Sequence, residues 1–471
     1  MKARTAAGGR RLWLPLIAVL WLLGSSGVSA AEEPKDRKAE KAQPRWSERV
    51  EFGVELRWRP EFRDNSDLKS ADDFDYFWGQ RVRAYLRLQL HPHLSAYVQG
   101  QDVWLFGAER DKVPHSLGVN LYQAYLDWRP AGSELWELRA GRQELIYGEE
   151  RLVGAFGWDN VGRSFDAARL RYRRGAWSSD FFWGRLVDVR RAGAPHRAGN
   201  QDLYGVYLTR APKEAPHRTE FYSFFVRDGL RTVGEQPLEP AQAVRILTVG
   251  FRRVHQPKAG WRYSVEHAWQ FGERGPDSHR AAMLIASGGY AWGGRWPRTQ
   301  APRGAGAKVL GSLSDWVRGW QPRLGFEYDF ATGDNNPADG DSREYNNLFP
   351  TNHPYYGYAD LAGLRNLHDF RFTAAARPHP KVTIEADYHR FLLAARRGPW
   401  KNAGGRVLGF DPTGAAGRDL GQEVDFTVRF PLQQHLNLLA GYSFFLPGRF
   451  AETMRGPETH HFGYIQTTVK F

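Results

Sequence analysis

From residue 49 the chain reads RVEFGVELRWRPEFR, and apolar and polar side chains alternate along it almost without fault. Val50, Phe52, Val54, Leu56, Trp58 and Phe62 share one face, while Arg49, Glu51, Glu55, Arg57, Arg59, Glu61 and Arg63 share the other. A period of two predicts a strand with one apolar and one wet face. Strands of soluble sheets usually run roughly five or six residues, so a run this long suits a barrel that crosses a membrane. The rhythm returns in RVRAYLRLQL, where Val82, Ala84, Leu86, Leu88 and Leu90 oppose Arg81, Arg83, Tyr85, Arg87 and Gln89. It returns again where Val424, Phe426, Val428 and Phe430 oppose Glu423, Asp425, Thr427 and Arg429, and in the closing HFGYIQTTVKF.

The same pattern predicts strands near 49–63, 78–90, 94–106, 118–128, 134–146, 163–174, 176–190, 200–210 and 217–229. Others follow near 243–255, 260–273, 279–292, 318–332, 365–378, 380–395, 420–431, 434–447 and 458–471. These make about eighteen, an even number as single-chain bacterial barrels require. The predicted fold is therefore all-β: a transmembrane antiparallel β-barrel over 47–471. HPH, RPAGS, RRGA, RPHP and PLQQ read as tight turns, whereas 64–77, 147–162, 333–364 and 396–419 read as long loops. Short turns on one side and long loops on the other mark periplasmic and extracellular ends. Residues 293–317 break this rule, as a long segment on the short-turn side, and read equally as a periplasmic flap or plug or as a flexible excursion. A strand ending in Phe471 resembles the recognition signal of outer-membrane barrels.

Composition changes the picture at the N-terminus. Lys2, Arg4, Arg10 and Arg11 precede an apolar run from Leu12 to Leu23, then small residues ending in Val28-Ser29-Ala30. This is the layout of a secretory signal peptide over 1–30, and the apolar run is too short to span a bilayer as a helix. Residues 31–46 are charged and lack aliphatic side chains, the mark of a disordered lead-in. The net charge is +13, 14% of residues are aromatic, and cysteine is absent. An exported chain without disulfides needs another source of stability, which a closed sheet supplies.

An Arg or Lys on the lipid face at the bilayer midplane costs about 2–4 kcal/mol. The side that carries Arg57, Arg59, Arg81, Arg83 and Arg87 is therefore predicted to face the lumen, with Trp and Tyr near strand ends forming interfacial girdles. The polar faces also carry Glu51, Glu55, Glu61, Asp127, Glu137, Glu327, Asp387 and Asp425. The expected lumen is mixed in charge with a cationic excess. Most of its arginines can brace the wall as Arg–Glu ladders. Those left uncompensated at a narrowing would attract an anion through a low-dielectric surround.

Two long blocks carry further information. LRAGRQELIYGEERLVGAFGWDNVGRSFDAARL at 138–170 and EYDFATGDNNPADGDSREYNNLFPTNHPYYGYADLAGLRNLHDFR at 327–371 resemble the signatures of the alginate export family of outer-membrane proteins. The resemblance spans roughly 47–471. It implies an 18-stranded barrel whose arginine-rich constriction passes a polyuronate outward by passive diffusion. Its partners would be an anionic polysaccharide, outer-membrane lipid and periplasmic export components, with the channel acting as a monomer. Carried onto this chain, the resemblance points to Arg142, Arg151 and Arg163 as the conduit, with Arg57 and Arg83 on the first two strands and Arg323, Arg371 and Arg429 on later ones. Strict alternation from Trp136, Leu138 and Ala140 puts Arg142 outward, and a bulge at Gly141 is expected to return it to the lumen.

Other chemistry is poorly supported. No zinc spacing, nucleophile elbow, phosphate loop or dinucleotide fingerprint occurs, so no cofactor is expected. The oxygen-rich DNNPADGD at 334–341 is faintly calcium-like but lacks the spacing of a calcium loop, and Asx turns account for it better. A glycan enzyme would need paired carboxylates at a cleft; Asp159, Asp166, Asp334 and Asp339 have no such context. An exported barrel with its cations on one strand face argues against nucleic acid as a partner. The alternative function is a general or small-anion porin on the same scaffold.

Overall fold

The computed structural model describes residues 49–69, 73–107, 118–187, 198–228, 243–293 and 319–471. The predicted signal peptide, the charged lead-in and nearly all of 293–317 lie outside them. The described residues form eighteen long strands: β1 (Val50–Asp64), β2 (Asp75–His91), β3 (Leu94–Gly107), β4 (Gly118–Trp128), β5 (Trp136–Gln143), β6 (Phe165–Arg174), β7 (Trp177–Val187), β8 (Ala198–Arg210) and β9 (His217–Asp228), then β10 (Val244–His255), β11 (Gly260–Arg274), β12 (Asp277–Ala291), β13 (Arg323–Ala331), β14 (Leu367–His379), β15 (Val382–Leu393), β16 (Asp419–Pro431), β17 (Leu436–Pro447) and β18 (His460–Lys470). Each pairs antiparallel with the next, and β18 returns to β1 through Glu55↔Lys470 and Leu56↔Val469. The main chains of Val54 and Phe471 exchange hydrogen bonds of 3.1 and 2.9 Å at the seam, and Lys470 pairs with Glu55 at 3.0 Å. Closure leaves no sheet edge, which is what a strand structure needs to cross lipid. No described helix is long and apolar enough to do so.

The alternation holds as read. Phe52, Trp58, Trp78, Trp104, Trp128 and Phe426 are exposed on the outer surface, while Arg57, Arg59, Arg81 and Arg83 are buried on the inner one. The aromatics divide in a way that the sequence concealed. Phe182, Tyr207, Tyr222 and Phe224 point inward from β7, β8 and β9 and stack in one cluster with Tyr147. On β7 and β9 both faces are aromatic, since Phe181, Trp183, Phe221 and Phe225 lie outside. The inner rings belong to an apolar core that fills part of the barrel and takes in Leu145, Val153, Phe349, Tyr356 and Leu364 from two inward-folded connections.

At one end the connections are short except that between β12 and β13, where 292–322 intervene as the sequence led one to expect. At the other, 144–164 and 332–366 fold inward, whereas Gly275 and Pro276 alone join β11 to β12.

Candidate functional site: the barrel interior

The two signature blocks contribute the two inward connections, and they are joined to each other. The amide of Gly154 donates to the carbonyl of Phe349 at 2.9 Å, Phe349 donates back to Leu152 at 2.8 Å, and Thr351 donates to Glu150 at 2.8 Å. Glu150 also accepts from the Ala155 amide and the Thr351 hydroxyl, at 2.9 and 2.8 Å. Arg163 sits across this junction, its guanidinium donating to the carbonyls of Gly154, Phe349 and Pro350 at 3.1, 2.5 and 3.0 Å. Burial lowers this guanidinium to about 10, against a partial offset from Glu150. His353 lies flat on Trp158 with ring centroids 3.8 Å apart, its Nδ1 3.0 Å from Asp360.

The arginines of β1 and β2 hold the tip of the first connection. Arg57 donates to the carbonyls of Gly157, Trp158 and Asp159 and to the Asn160 side chain, at 2.8–3.2 Å. Arg81 reaches the Gly157 and Asp159 carbonyls at 3.3 and 3.2 Å while pairing with Glu55 at 2.8 Å. Arg83 takes the Val161 carbonyl at 3.1 Å and packs over Tyr122, 3.7 Å to the ring centroid. Arg59 pairs with Glu61 at 2.6 Å, donates to the Trp158 carbonyl at 2.6 Å and covers that indole. Four guanidiniums thus form a collar around a loop main chain that has no sheet to bond with.

Arg151 ties the same connection to the opposite wall. It donates to Glu327 and Asp329 of β13 at 2.7 and 2.8 Å and to the Tyr356 hydroxyl at 3.2 Å, stacked on Tyr355. Burial alone would push this cation down, but the two carboxylates drive it well above its ordinary value. Arg252, which sequence reasoning passed over, does a similar job, bridging Glu149 of the connection to Glu220 of β9.

An open cavity of about 390 Å³ remains beside β11–β14. Four arginines border it, Arg151, Arg262, Arg323 and Arg371, against two glutamates, Glu149 and Glu327. Arg371 is held by Asp387 at 2.9 Å, and Arg323 by Glu385 at 2.5 Å. Arg429 on β16 faces inward nearby, half-exposed and 3.7 Å from Glu385. Arg262 was missed, although it alternates in register with Ser264 and Glu266 on the wet face of β11, the signal used for β1.

Placement therefore reorders the candidates. Arg57, Arg83 and Arg151 are buried, Arg163 is partly buried, and all four are committed to bracing. Arg323, Arg371 and Arg429 stand around or near open space. Arg142 requires a correction: it stays on the outer face. Its register partners Ala124 and Asp166 lie outside, and Asp166 binds it at 2.8 and 3.1 Å. Gly141 does adopt a positive φ of 127°, but pairing runs through it without a shift, so no residue is added and no side changes. The carboxylates of 334–341 are engaged locally: Asp334 accepts from the Asn336 amide, and Asp339 and Asp341 hold Arg343 at 2.7 and 2.6 Å. No group of three potential metal ligands occurs among the described residues.

A protein-family model described as Alginate export matches residues 48–464. The chain belongs to the alginate export family. As a member, it is an outer-membrane channel and not an enzyme. Among solved structures, its barrel is similar to Pseudomonas aeruginosa OccK9 (OpdG), with a TM-score of 0.58 at 11% identity over 90% of this chain and 99% of that one. It is also similar to OpdL of the same organism, at 0.57 and 10% over 90% and 98%. The P. aeruginosa outer membrane protein opdK gives 0.56 and 9% over 89% and 99%. At such identities the likeness concerns the fold. No curated protein matches the chain significantly.

Proposed function

We propose that this channel passes an anionic polysaccharide of the alginate kind, a polymer of uronate sugars, outward by passive diffusion. The supporting observation is the interior cavity with four arginines against two glutamates. Uronate carboxylates are ionised at neutral pH, as unperturbed carboxylic acids are, and a guanidinium fork binds carboxylate through two parallel hydrogen bonds. Arg262, Arg323, Arg371 and Arg429 are the residues assigned to the path. Each has a carboxylate within reach or lies in the open, so none grips an anion hard enough to stop it. Arg57, Arg83 and Arg163 fix the loops that narrow the passage, and Arg151 pins them to β13. Export through the signal peptide, operation as a monomer and hand-over from periplasmic components complete this reading.

Planar-bilayer conductance with uronate oligomers of graded length tests it. Block that deepens with oligomer length, from the side bearing the short turns, is the expected result. Equal sensitivity to chloride and to oligomers of every length would instead make the protein a small-anion porin.

A further inference from the structure

The outer wall carries a feature that the channel reading does not use. Arg142, Asp166, Arg185 and Asp202 stand directly opposite one another across β5 to β8, and the row continues through Arg227, Arg245 and Glu273 on β9 to β11. Its first half is neutralised: Arg142 binds Asp166 at 2.8 Å and Arg185 binds Asp202 at 2.7 Å. The second half is not. Arg227 directly faces Arg245, and like charges opposite each other across strands are destabilising. Among the described residues Arg227 has no ion pair. Arg245 has a loose one, 3.6 Å to Glu273, with side chains 63% and 64% exposed.

The level of this row is informative. Two residues along each strand, away from the long-loop end, the same face presents Trp183, Tyr204, Phe225, Leu247 and Phe271, all exposed and again in direct register. Such an aromatic row marks the depth where hydrocarbon gives way to headgroups. The charged row thus stands at headgroup height, at the end that faces outward.

We propose that Arg227 and Arg245, flanked by Arg185, bind the phosphate of an outer-leaflet glycolipid whose acyl chains lie over Phe225, Leu247 and Phe271. A phosphate shared by two guanidinium forks converts their mutual repulsion into a charge-assisted bridge. The apolar side chains beneath match the rest of the same molecule, which a free anion would leave bare. This occupant is independent of what passes through the interior.

The test uses the full-length barrel in neutral detergent, titrated with diphosphorylated lipid A and read by native mass spectrometry. Retention of at least one lipid is expected, with affinity falling about tenfold or more in Arg227→Ala/Arg245→Ala. Arg227→Lys/Arg245→Lys should fall in between, and fully dephosphorylated lipid should bind no better than to the double alanine variant. Heat-modifiable migration reports folding, and the single Arg245→Gln variant at an exposed position serves if the double variant does not fold. Unchanged retention in the alanine or Gln variant, equal retention of dephosphorylated lipid, or complete displacement by millimolar inorganic phosphate would each overturn the proposal.

Discussion

Replacing Arg151 with Ala examines the inner architecture most directly. Arg151 is almost fully buried, and of its two acceptors on β13 Asp329 is buried as well while Glu327 is partly exposed. Glu327 keeps a second cation, Arg371 at 3.8 Å. Asp329 has no other ion pair among the described residues, so the variant strands one buried carboxylate. Removing one partner of a buried pair costs about 3–5 kcal/mol, and loss of the stacking on Tyr355 adds roughly 1 kcal/mol. The barrel ladder is untouched, so this cost falls on docking of 144–164. A loss of about 3 kcal/mol moves that equilibrium by a little over a hundredfold. The assay pairs single-channel conductance with limited proteolysis. Arg151→Ala should show larger, noisier openings and new cleavage within 150–163, while the folded band persists. Arg151→Ala/Asp329→Asn should recover part of the protection, because the stranded charge is gone. Wild-type conductance and protease resistance in the single variant would refute the idea that this cation secures the loop, as would a double variant no better protected than the single.

Other outcomes follow from the same geometry. Glu344 binds Lys401 at 2.7 Å in a buried pair; burial alone would raise the carboxyl, but Lys401 and Arg274 hold it below its ordinary 4.5. Its contribution is therefore complete above pH 4.5 and is lost as pH falls through the depressed value, so protection of 394–418 from an acid-active protease should decline only at pH values below 4.5. Glu344→Gln should flatten that decline. Arg323→Ala should weaken uronate block by a few-fold, as expected for a partly exposed cation worth about 1 kcal/mol or less, whereas Arg142→Ala should leave block unchanged because it lies outside the barrel. Gly141→Ala should destabilise the folded barrel by about 1–3 kcal/mol, since φ is +127° and an added Cβ would collide with the Ala124 carbonyl and sit 2.8 Å from the Tyr125 Cα; urea-dependent band shifts would measure it.

The strands were legible because lipid and water impose opposite demands on alternate residues. Every predicted strand has a counterpart, and ends differ where loops fold inward, as at 134–146 against Trp136–Gln143. The roles of individual arginines were much less legible. A guanidinium on the wet face looks the same in sequence whether it meets solvent or a carbonyl supplied from a hundred residues away, as with Arg57 and Gly157. For the same reason Arg57 and Arg83 could not be told from Arg323 and Arg429, although the structure engages the first two with loop carbonyls and leaves the last two partly exposed. Arg142 shows the opposite failure: plain alternation placed it correctly, and the invoked bulge did not. The inner aromatic core was hidden because β7 and β9 carry rings on both faces, which erases the contrast that periodicity measures.

The collar around residues 157–161 grips carbonyl oxygens, and every amino acid supplies one. Trp158 and Asn160 are also held through their side chains and Val161 is buried against Val103, so Gly157 and Asp159 are the positions of that tip that can vary in what they display without losing its anchorage. Point substitution at those two positions can thus retune the inner surface while leaving the scaffold that positions it intact.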